Sequence, residues 1–260
     1  MGICPSITFH HSRHALLFIL CPSSNQARIV GGTQTVIEQY PFSAVLLHLR
    51  SANNFRQLCG GSIINNRSVL GAAHCFDDRA AVATWRIRVG STNAHSGGTL
   101  HNLNLIIVHP SYSRNTLDAD IVLLRSANAF AFNQRVLPGV VAGANYNIRD
   151  NEAVWAIGWG ATFVSFERSE QLRHVQLQTV NLEECRRRYA VVPRTVTANM
   201  LCTGWATGIR GQCHGDSGSP VLHGNVIVGV TSWGELCAQP RFPSVNVRVP
   251  RFTSWITSNA

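Results

Sequence analysis

The stretch Gln212-Cys213-His214-Gly215-Asp216-Ser217-Gly218-Ser219-Pro220 decides how the rest of the chain is interpreted. Its central serine, Ser217, lies between an aspartate and a glycine, and another glycine precedes the aspartate. Glycine tolerates a positive φ and lets backbone N–H groups come close to a reacting carbonyl. Such a turn can expose one serine Oγ and direct two N–H donors at a developing oxyanion. Taken alone, the stretch is equally compatible with an ordinary Gly/Ser-rich loop.

Two upstream stretches favour the catalytic interpretation. Ala72-Ala73-His74-Cys75 places a histidine beside a cysteine, and Asp120 stands directly before the apolar residues 121–124. A single histidine or aspartate in such a setting is usually structural. The order His, Asp, Ser along the chain is nevertheless that of the chymotrypsin-type triad, and it differs from the subtilisin and α/β-hydrolase orders.

Length and charge exclude several classes of protein. A chain of 260 residues can bury a large core as one domain or two closely packed ones. No apolar run reaches the roughly 18 residues that a membrane-spanning helix needs. The net charge is +9, but the basic residues are scattered, with one tight cluster at Arg186-Arg187-Arg188 and no nucleic-acid-binding motif. We therefore expect neither nucleic acid nor a membrane as a partner.

The basic residues are all of one type, because the 22 basic side chains are arginines and the chain has no lysine. Lysine loses its charge near pH 10.4, whereas arginine stays protonated above about pH 12. This composition favours a surface that keeps its charge in strong alkali, and compositional drift is the alternative explanation.

Short apolar segments separated by turns predict an all-β protein. The candidate strands of the first half cover residues 44–49, 61–64, 68–70, 85–89, 105–108 and 121–124. Those of the second half cover residues 153–157, 174–178, 199–202, 221–222, 226–233 and 244–249. Two sets of similar size predict two six-stranded antiparallel β-barrels, at about residues 29–143 and 144–249, with the catalytic cleft between them.

Two helices are predicted beside the barrels. Asn181 can cap a helix that starts at Leu182, and Glu184 can reach back to complete a capping box. Phe252, Trp255 and Ile256 follow helical spacing, which indicates a packed C-terminal helix at about residues 250–260.

The sequence resembles the trypsin/chymotrypsin family of serine proteases over residues 29–260, and within it the digestive trypsin-like proteases of the lepidopteran (caterpillar) midgut. The motifs that carry the resemblance follow in the expected order: Ile29-Val30-Gly31-Gly32, Cys59-Gly60-Gly61-Ser62, Ala72-Ala73-His74-Cys75, Asp120-Ile121, Gly158-Trp159-Gly160, Gly215-Asp216-Ser217-Gly218 and Ser232-Trp233-Gly234. The resemblance implies a chymotrypsin-like fold and hydrolysis of peptide bonds through an acyl-enzyme, with no metal and no cofactor.

The resemblance also assigns catalytic roles. Ser217 is the expected nucleophile, His74 its general base and then acid, and Asp120 the residue that orients the imidazole. The backbone N–H groups of Gly215 and Ser217 are expected to form the oxyanion hole. Ser219 departs from the family, which usually has glycine there, and we expect this extra Cβ to affect efficiency.

The expected substrate pocket departs further from trypsins. Trypsins carry an aspartate where this chain has Gly211, and Ser244 stands at a pocket position that is often glycine. Ser232 resembles the residue that bonds the catalytic aspartate, while Trp233 and Gly234 are expected to pair with an extended substrate. A neutral base cannot compensate the desolvation of a bound cation. We expect apolar or medium-sized side chains at P1, the residue before the scissile bond, as in chymotrypsin or elastase.

Residues 1–28 are interpreted as a leader, formed by a weak signal peptide and a brief activation peptide. The resemblance implies that cleavage between Arg28 and Ile29 frees an amino group, which pairs with Asp216 and orders the oxyanion hole. Because a neutral pocket cannot accept Arg28, a trypsin-like protease is the expected activator.

The eight cysteines suit an oxidising compartment. The resemblance implies the pairs Cys59–Cys75, Cys185–Cys202 and Cys213–Cys237, which leaves two cysteines in the leader. We expect a secreted, extracellular digestive enzyme of the gut lumen, with protein and peptide substrates and protein protease inhibitors as partners. The main alternative is a catalytically weak or inactive homologue that acts as a binding or regulatory protein. A cascade protease of immunity or development is less expected, because such proteases usually carry a cysteine-rich N-terminal module.

Overall fold

The structure is a computed structural model that describes residues 30–162 and 168–260. The predicted leader, the Arg28–Ile29 bond and the predicted insertion of the Ile29 amino group lie outside the described residues. In chain order the strands are β1 Thr33–Gln34, β2 Ser43–Ser51, β3 Asn54–Ile63, β4 Ser68–Gly71, β5 Trp85–Val89, β6 Thr99–Val108, β7 Val122–Ser126, β8 Val140–Val141, β9 Ala153–Gly158, β10 Arg173–Val180, β11 Met200–Gly204, β12 Pro220–His223, β13 Val226–Trp233 and β14 Ser244–Arg248, and the α-helices are α1 Leu182–Tyr189 and α2 Thr253–Asn259.

The first barrel is a closed antiparallel sheet in the order β2-β3-β4-β7-β6-β5. Strand β5 has the bounds predicted from its alternating pattern, and Trp85, Ile87 and Val89 are buried. Arg88 departs from the alternation because it is also buried, and its guanidinium donates to the carbonyls of His95 and Gly97. Hydrogen bonds to the neighbouring loop thus satisfy a charge that alternation alone would place in solvent.

The second barrel closes in the order β10-β11-β14-β13-β12-β9, because β9 also pairs with β10. Two short strands from the range predicted for the first barrel join this sheet. Strand β1 pairs antiparallel with β10, and β8 pairs parallel with β13. Both strands lie where the chain passes from one barrel to the other. The predicted division at residue 143 therefore does not coincide with the division between the two sheets in space.

The helices lie where the sequence indicated. The Asn181 side chain accepts the N–H groups of Glu183 and Glu184, as expected of an N-cap. The Glu184 carboxylate does not complete a capping box and instead pairs with Arg187 and Arg188 along the helix. Arg187 and Arg188 follow Glu184 by three and four residues, the spacing at which side chains on a helix are neighbours.

Helix α2 packs its apolar side against the core. Phe252 and Ile256 are buried, and the rings of Phe252 and Trp255 lie edge-on to His109, at 5.0 and 4.9 Å between centroids. The described chain also contains three disulfides, Cys59–Cys75, Cys185–Cys202 and Cys213–Cys237.

Buried tyrosines set the expected alkaline limit of stability. We expect the free energy of unfolding to change little up to about pH 10 and to fall between about pH 10 and 12. Burial raises the pKa of Tyr40 and of Tyr189 to about 12, whereas an unfolded chain ionises its tyrosines near pH 10. Between these values the folded protein binds more protons than the unfolded one, so stability falls as pH rises. Urea unfolding followed by circular dichroism at several pH values measures the slope.

Tyr40→Phe should make this decline shallower, because one of the buried hydroxyls is gone. Tyr146→Phe is the matched control, since Tyr40 and Tyr146 each bond a histidine Nδ1 at 2.7 Å, His174 and His223 respectively. A decline as steep in Tyr40→Phe as in the wild type would contradict this account.

Candidate active site

The structure brings His74 and Asp120 together on the first barrel. His74 lies in a short 3-10 helix, Ala73–Phe76, and Cys75 within that helix is bonded to Cys59 of β3. The His74 imidazole Nδ1 lies 2.7 Å from Asp120 Oδ2, and the His74 backbone N–H donates to Asp120 Oδ1 at 2.8 Å. A carboxylate only accepts hydrogen bonds, so Nδ1 carries the proton and Nε2 is left as an acceptor.

Asp120 is held from three directions and fully buried. Ser232, at the end of β13, donates its hydroxyl to Asp120 Oδ2 at 2.5 Å, which ties the second barrel to this pair. The turn before Asp120 is strained, because Leu117 and Ala119 both have positive φ, at 54° and 50°. Such strain persists where surrounding contacts hold it, and here it directs the carboxylate inward.

Burial and charge act in opposite directions on the pKa of His74. Burial lowers it, whereas the hydrogen bond and charge of Asp120 and the charge of Asp77 raise it, and Arg194 lowers it again. The balance holds the pKa of His74 above its ordinary value of 6.5. The His74 imidazole is therefore neutral, and able to accept a proton, only at a higher pH than an unperturbed histidine would need.

The Ser217 turn is anchored against the same part of the first barrel. The Gly60 N–H donates to the Ser217 carbonyl at 2.8 Å. Gly218, with φ of 83°, packs so closely that a Cβ there would strike the Gly60 carbonyl and lie 3.1 Å from the Ala72 N atom. Ser217 is thus placed beside the segment that leads into His74. Within the described residues no hydrogen bond joins Ser217 Oγ to His74, and such bonds are often long before substrate binds.

Two backbone donors of the turn are free. The N–H groups of Asp216, Gly218 and Ser219 all donate to carbonyls, whereas those of Gly215 and Ser217 have no acceptor among the described residues. Gly215 has φ of 97°, a conformation that favours glycine. Two unpaired donors from alternate residues beside a serine hydroxyl can stabilise an oxyanion.

Gln57 holds this turn from behind, and the sequence offered no sign of it. Its side-chain Nε2 donates to the Gly215 carbonyl at 2.7 Å, and the residue is buried. Its backbone N–H donates to His95 Nε2 at 3.1 Å, and Arg168 donates to its carbonyl. Gln57 lies in a β-strand without a motif, so only the packing of the two barrels reveals its role.

Asp216 points away from the turn into a fully buried site. Its carboxylate accepts the N–H of Gly160 at 2.8 Å and of Cys213 at 3.0 Å. Burial raises the pKa of Asp216 to about 6, although both hydrogen bonds act to lower it. A cation that reached this carboxylate would stabilise its charged form and lower its pKa.

An open pocket adjoins Ser217 in the second barrel. The residues that line it are Val30, Thr162, Gln212, Cys213, His214, Ser217, Thr231, Ser232, Trp233, Gly234, Glu235, Leu236, Cys237, Gln239 and Ser244. Gly211, which the sequence placed at the base of the pocket, is not among these lining residues, and its N–H donates to the Val30 carbonyl at 3.0 Å. Glu235 is the one carboxylate among these lining residues, and it is exposed at the rim.

Neutral polar groups form the deep part of this pocket. Gln212 is buried, and its Nε2 donates to Thr231 Oγ1 at 2.6 Å and to Asn246 Oδ1 at 2.9 Å. The amide is therefore already bonded to uncharged neighbours. Ser244 stands opposite Gly234, whose added Cβ would lie 3.9 Å from the Ser244 Cα.

Ser219 fits its site without backbone strain, because it is not among the residues with positive φ. Its buried hydroxyl has no hydrogen-bond partner among the described residues. We expect Ser219→Ala to raise the free energy of unfolding by about 1 kcal/mol, since a buried unpaired hydroxyl carries a desolvation cost. The value of kcat/KM should not change, because the backbone bonds of Ser219 remain. Thermal and urea unfolding measure the first effect and peptide hydrolysis the second.

Ser219→Thr provides the opposite control. A Cβ added at Gly60 would strike the Ser219 hydroxyl, and one at Gly158 would lie 3.0 Å from it, so this space is full. The additional methyl of threonine should lower stability. If Ser219→Ala instead destabilised the protein, the hydroxyl would have a partner and this explanation would be wrong.

The described residues contain no group of three or more His, Cys, Asp or Glu side chains that could hold a metal ion. No helix in the described ranges is long and apolar enough to cross a membrane.

Comparison with known proteins gives a consistent result. The family model described as Trypsin matches residues 29–256. The chain is 57% identical to "Trypsin CFT-1" of Choristoneura fumiferana over 236 residues, which cover 90% of this chain and 92% of the relative. It is 56% identical to "Trypsin, alkaline C" of Manduca sexta over 238 residues, covering 91% and 93%. It is also 56% identical to "Trypsin, alkaline A" of Manduca sexta over 234 residues, covering 90% and 91%.

Proposed function

Because the chain belongs to the trypsin family and is a serine endopeptidase, we propose that Ser217, His74 and Asp120 form its catalytic triad. His74 Nε2 takes the proton of Ser217 Oγ as this oxygen attacks the substrate carbonyl, and the proton then passes to the leaving amine. Water repeats the sequence to release the acyl group. The observation that carries this proposal is the Asp120 carboxylate, which accepts from His74 Nδ1 and Ser232 and so keeps Nε2 an acceptor.

The oxyanion that forms on the substrate carbonyl would lie at the free N–H groups of Gly215 and Ser217. Removing one such donor typically costs about 3 kcal/mol of transition-state stabilisation. Gln57 supports this site because it fixes the carbonyl of Gly215 and therefore the orientation of that residue.

We propose that the P1 pocket accepts neutral side chains. A bound guanidinium or ammonium would enter a pocket whose buried polar lining includes Gln212 and Thr231, which are both uncharged. The Gln212 amide already donates to Thr231 and to Asn246, a buried residue that does not line the pocket. A buried cation without a carboxylate is strongly unfavourable. The relatives point the other way, because they are named trypsins, so the proposal stands on the pocket of this chain alone.

Hydrolysis of four peptides that differ only at P1, as Phe, Leu, Ala or Arg, tests the proposal after activation by trypsin that is then inhibited. We expect kcat/KM for Phe or Leu to exceed that for Arg by at least about a hundredfold. Ser217→Ala taken through the same activation measures the turnover left by the activator. Efficient cleavage after Arg, above that background, would show that the pocket is not neutral in effect.

A gain-of-function variant tests the same pocket from the other side. Gly211→Asp should place a carboxylate at its base, and the backbone φ of Gly211 is not positive. The new Cβ would lie 3.0 Å from the Ala238 Cα and 3.2 Å from both its Cβ and its N atom, so the backbone at Ala238 must move by a few tenths of an ångström. We therefore combine the variant with Ala238→Gly, which removes the Cβ contact and frees the backbone at a residue with φ of 54°. Turnover of the Arg peptide should rise in the double variant and not in Ala238→Gly alone.

We further propose that cleavage after Arg28 by a trypsin-like protease activates the enzyme, with the Ile29 amino group pairing with Asp216. The support is the fully buried Asp216 carboxylate, whose charged form a cationic partner would stabilise against its desolvation. The test is the ratio of peptidase activity after cleavage to that before cleavage, with the new N-terminus verified by sequencing.

Secretion into the gut lumen and a digestive role in alkali are proposed from three observations. Disulfides are typical of secreted proteins, the chain has arginine but no lysine, and two of the relatives are named alkaline trypsins. Protein protease inhibitors that insert an extended loop into the cleft are the proposed regulatory partners.

A further inference from the structure

Arg194 is a cation without an acidic partner beside the active site. Its guanidinium carbon lies 5.1 Å from the centroid of the Trp233 ring, and the side chain is partly buried there. Within the described part of the chain, Arg194 forms no ion pair and no hydrogen bond with another residue. An arginine stacked on an indole keeps its donors available for a ligand, while the ring removes water from one face of the guanidinium.

Arg194 is close enough to the catalytic residues to act on them. Trp233 lines the same pocket as Ser217. Among the influences on the pKa of His74, burial lowers it, Asp120 and Asp77 raise it, and Arg194 lowers it. The positive charge therefore lies on the ring of a residue that lines the pocket beside Ser217.

The backbone next to Trp233 is an open strand edge. Strand β13 pairs with β14 as far as Trp233 and Val245, whereas its pairing with β12 ends at Val230 and Pro220. The Thr231 N–H still reaches the Ser219 carbonyl, at 2.9 Å, and beyond it the edge is free on the side of the Ser217 turn. A peptide can add to such an edge as a further strand, and its alternate side chains then point toward the Trp233 ring.

We propose that Arg194 forms a subsite that selects an acidic side chain two to four residues before the scissile bond. This rests on the proposed function, in which an extended peptide lies along Trp233 and Gly234. A carboxylate placed there would supply the missing partner, and a guanidinium can bind it through two parallel hydrogen bonds. Because arginine stays protonated above about pH 12, the subsite keeps its charge in alkali.

The competing charge is Glu235, which is exposed at the pocket rim and forms no ion pair with Arg194. If Glu235 dominated this region, basic rather than acidic residues would be preferred at these positions. The net charge of +9 favours acidic substrates in general, so a test must separate a local effect from this overall attraction.

A series of peptides separates the local effect from the overall attraction. Each peptide carries Glu, Ala or Arg at P2, P3 or P4 and has at P1 the residue that the enzyme cleaves fastest. We expect Glu at one of these positions to raise kcat/KM about fivefold over Ala, mainly through KM. Arg194→Ala should abolish the preference, and 1 M NaCl should weaken it in the wild type. Arg194→Lys should keep part of it, since the charge remains without the planar fork.

Arg86→Ala is the matched control, because the Arg86 guanidinium also stacks on a ring, 4.7 Å from the centroid of Phe55 in the first barrel. It removes the same net charge and should leave the preference for Glu unchanged. Arg194→Ala should also move the acidic limb of kcat/KM to higher pH, because Arg194 lowers the pKa of His74. A loss of packing against Trp233 would not by itself produce this shift. No preference for Glu, an equal preference in Arg194→Ala, or a preference for Arg would each overturn the proposal.

A binding measurement separates this proposal from the proposed function. If no peptide is hydrolysed, the catalytic proposal fails, but tryptophan fluorescence of Ser217→Ala still reports the Kd of the Glu and Ala peptides. The Glu peptide should bind about fivefold more tightly, and only when Arg194 is present. If Arg is the best P1 residue, the neutral pocket fails and the same series is run on P1-Arg peptides.

Discussion

We expect Ser217→Ala to lower kcat by about a millionfold, the size of effect seen when the triad nucleophile is removed from subtilisin. Without Oγ there is no atom to form the acyl-enzyme, and only the oxyanion donors and substrate binding remain. The fold should persist, because the contacts that anchor the turn use backbone atoms, including the Gly60 N–H bond to the Ser217 carbonyl. Single-turnover hydrolysis of the best P1 peptide measures the loss.

The neighbouring serine provides the control for this variant. Ser219→Ala removes a hydroxyl two residues away and is expected to leave kcat unchanged. Residual activity of Ser217→Ala above about one thousandth of the wild type, after subtraction of the activator, would show that another group attacks the substrate.

We expect Asp120→Asn to lower kcat by about ten-thousandfold at neutral pH, the loss measured when a triad aspartate becomes asparagine in a related enzyme. The cause is the tautomer of His74. The carboxylate accepts the Nδ1 proton at 2.7 Å, whereas an asparagine amide can donate there and leave the proton on Nε2. An imidazole with a protonated Nε2 cannot take the proton of Ser217.

The same variant moves the pH profile in a defined direction. Activity needs neutral His74, so it is present above the pKa of His74 and is lost as the pH falls through it. Asp120 raises that pKa and burial lowers it. Removing the carboxylate therefore shifts the acidic limb of the remaining activity to lower pH, which a pH series of kcat/KM detects.

Asp118→Asn is the matched control for the charge. Asp118 lies two residues earlier and bonds Thr197 and Asn199 of the second barrel rather than His74. We expect it to cost stability and to change kcat only a few-fold. If it abolished activity as strongly as Asp120→Asn, the loss would reflect disruption between the barrels and not the tautomer.

Local features of the structure follow from local patterns in the sequence. Strand β5 has its predicted bounds because alternation over five residues is enough to specify a half-buried strand. Asn181 caps α1 because the cap involves only its own N-terminal residues. The two-barrel fold was predictable in the same way, since the barrel-forming strands carry apolar segments separated by turn signals, whereas the short strands β1 and β8 were not predicted. The order of His74, Asp120 and Ser217 was also visible directly.

The tertiary structure decided the contacts between distant segments. Gln57 and Gly215 are 158 positions apart, and their bond exists only because the barrels pack together. The same holds for Arg194 on the ring of Trp233, since no pattern within either segment refers to the other.

Competition among partners was likewise beyond the sequence. The sequence position of Glu184 predicted a capping box, but its carboxylate pairs with Arg187 and Arg188 instead. Gln212 lies next to the pocket cysteine in the chain, yet its amide is committed to Thr231 and Asn246. Residue types and local periodicity thus determined the elements and the candidate catalytic groups. Which polar groups remain free to act depended on the complete set of neighbours, which only the folded chain assembles.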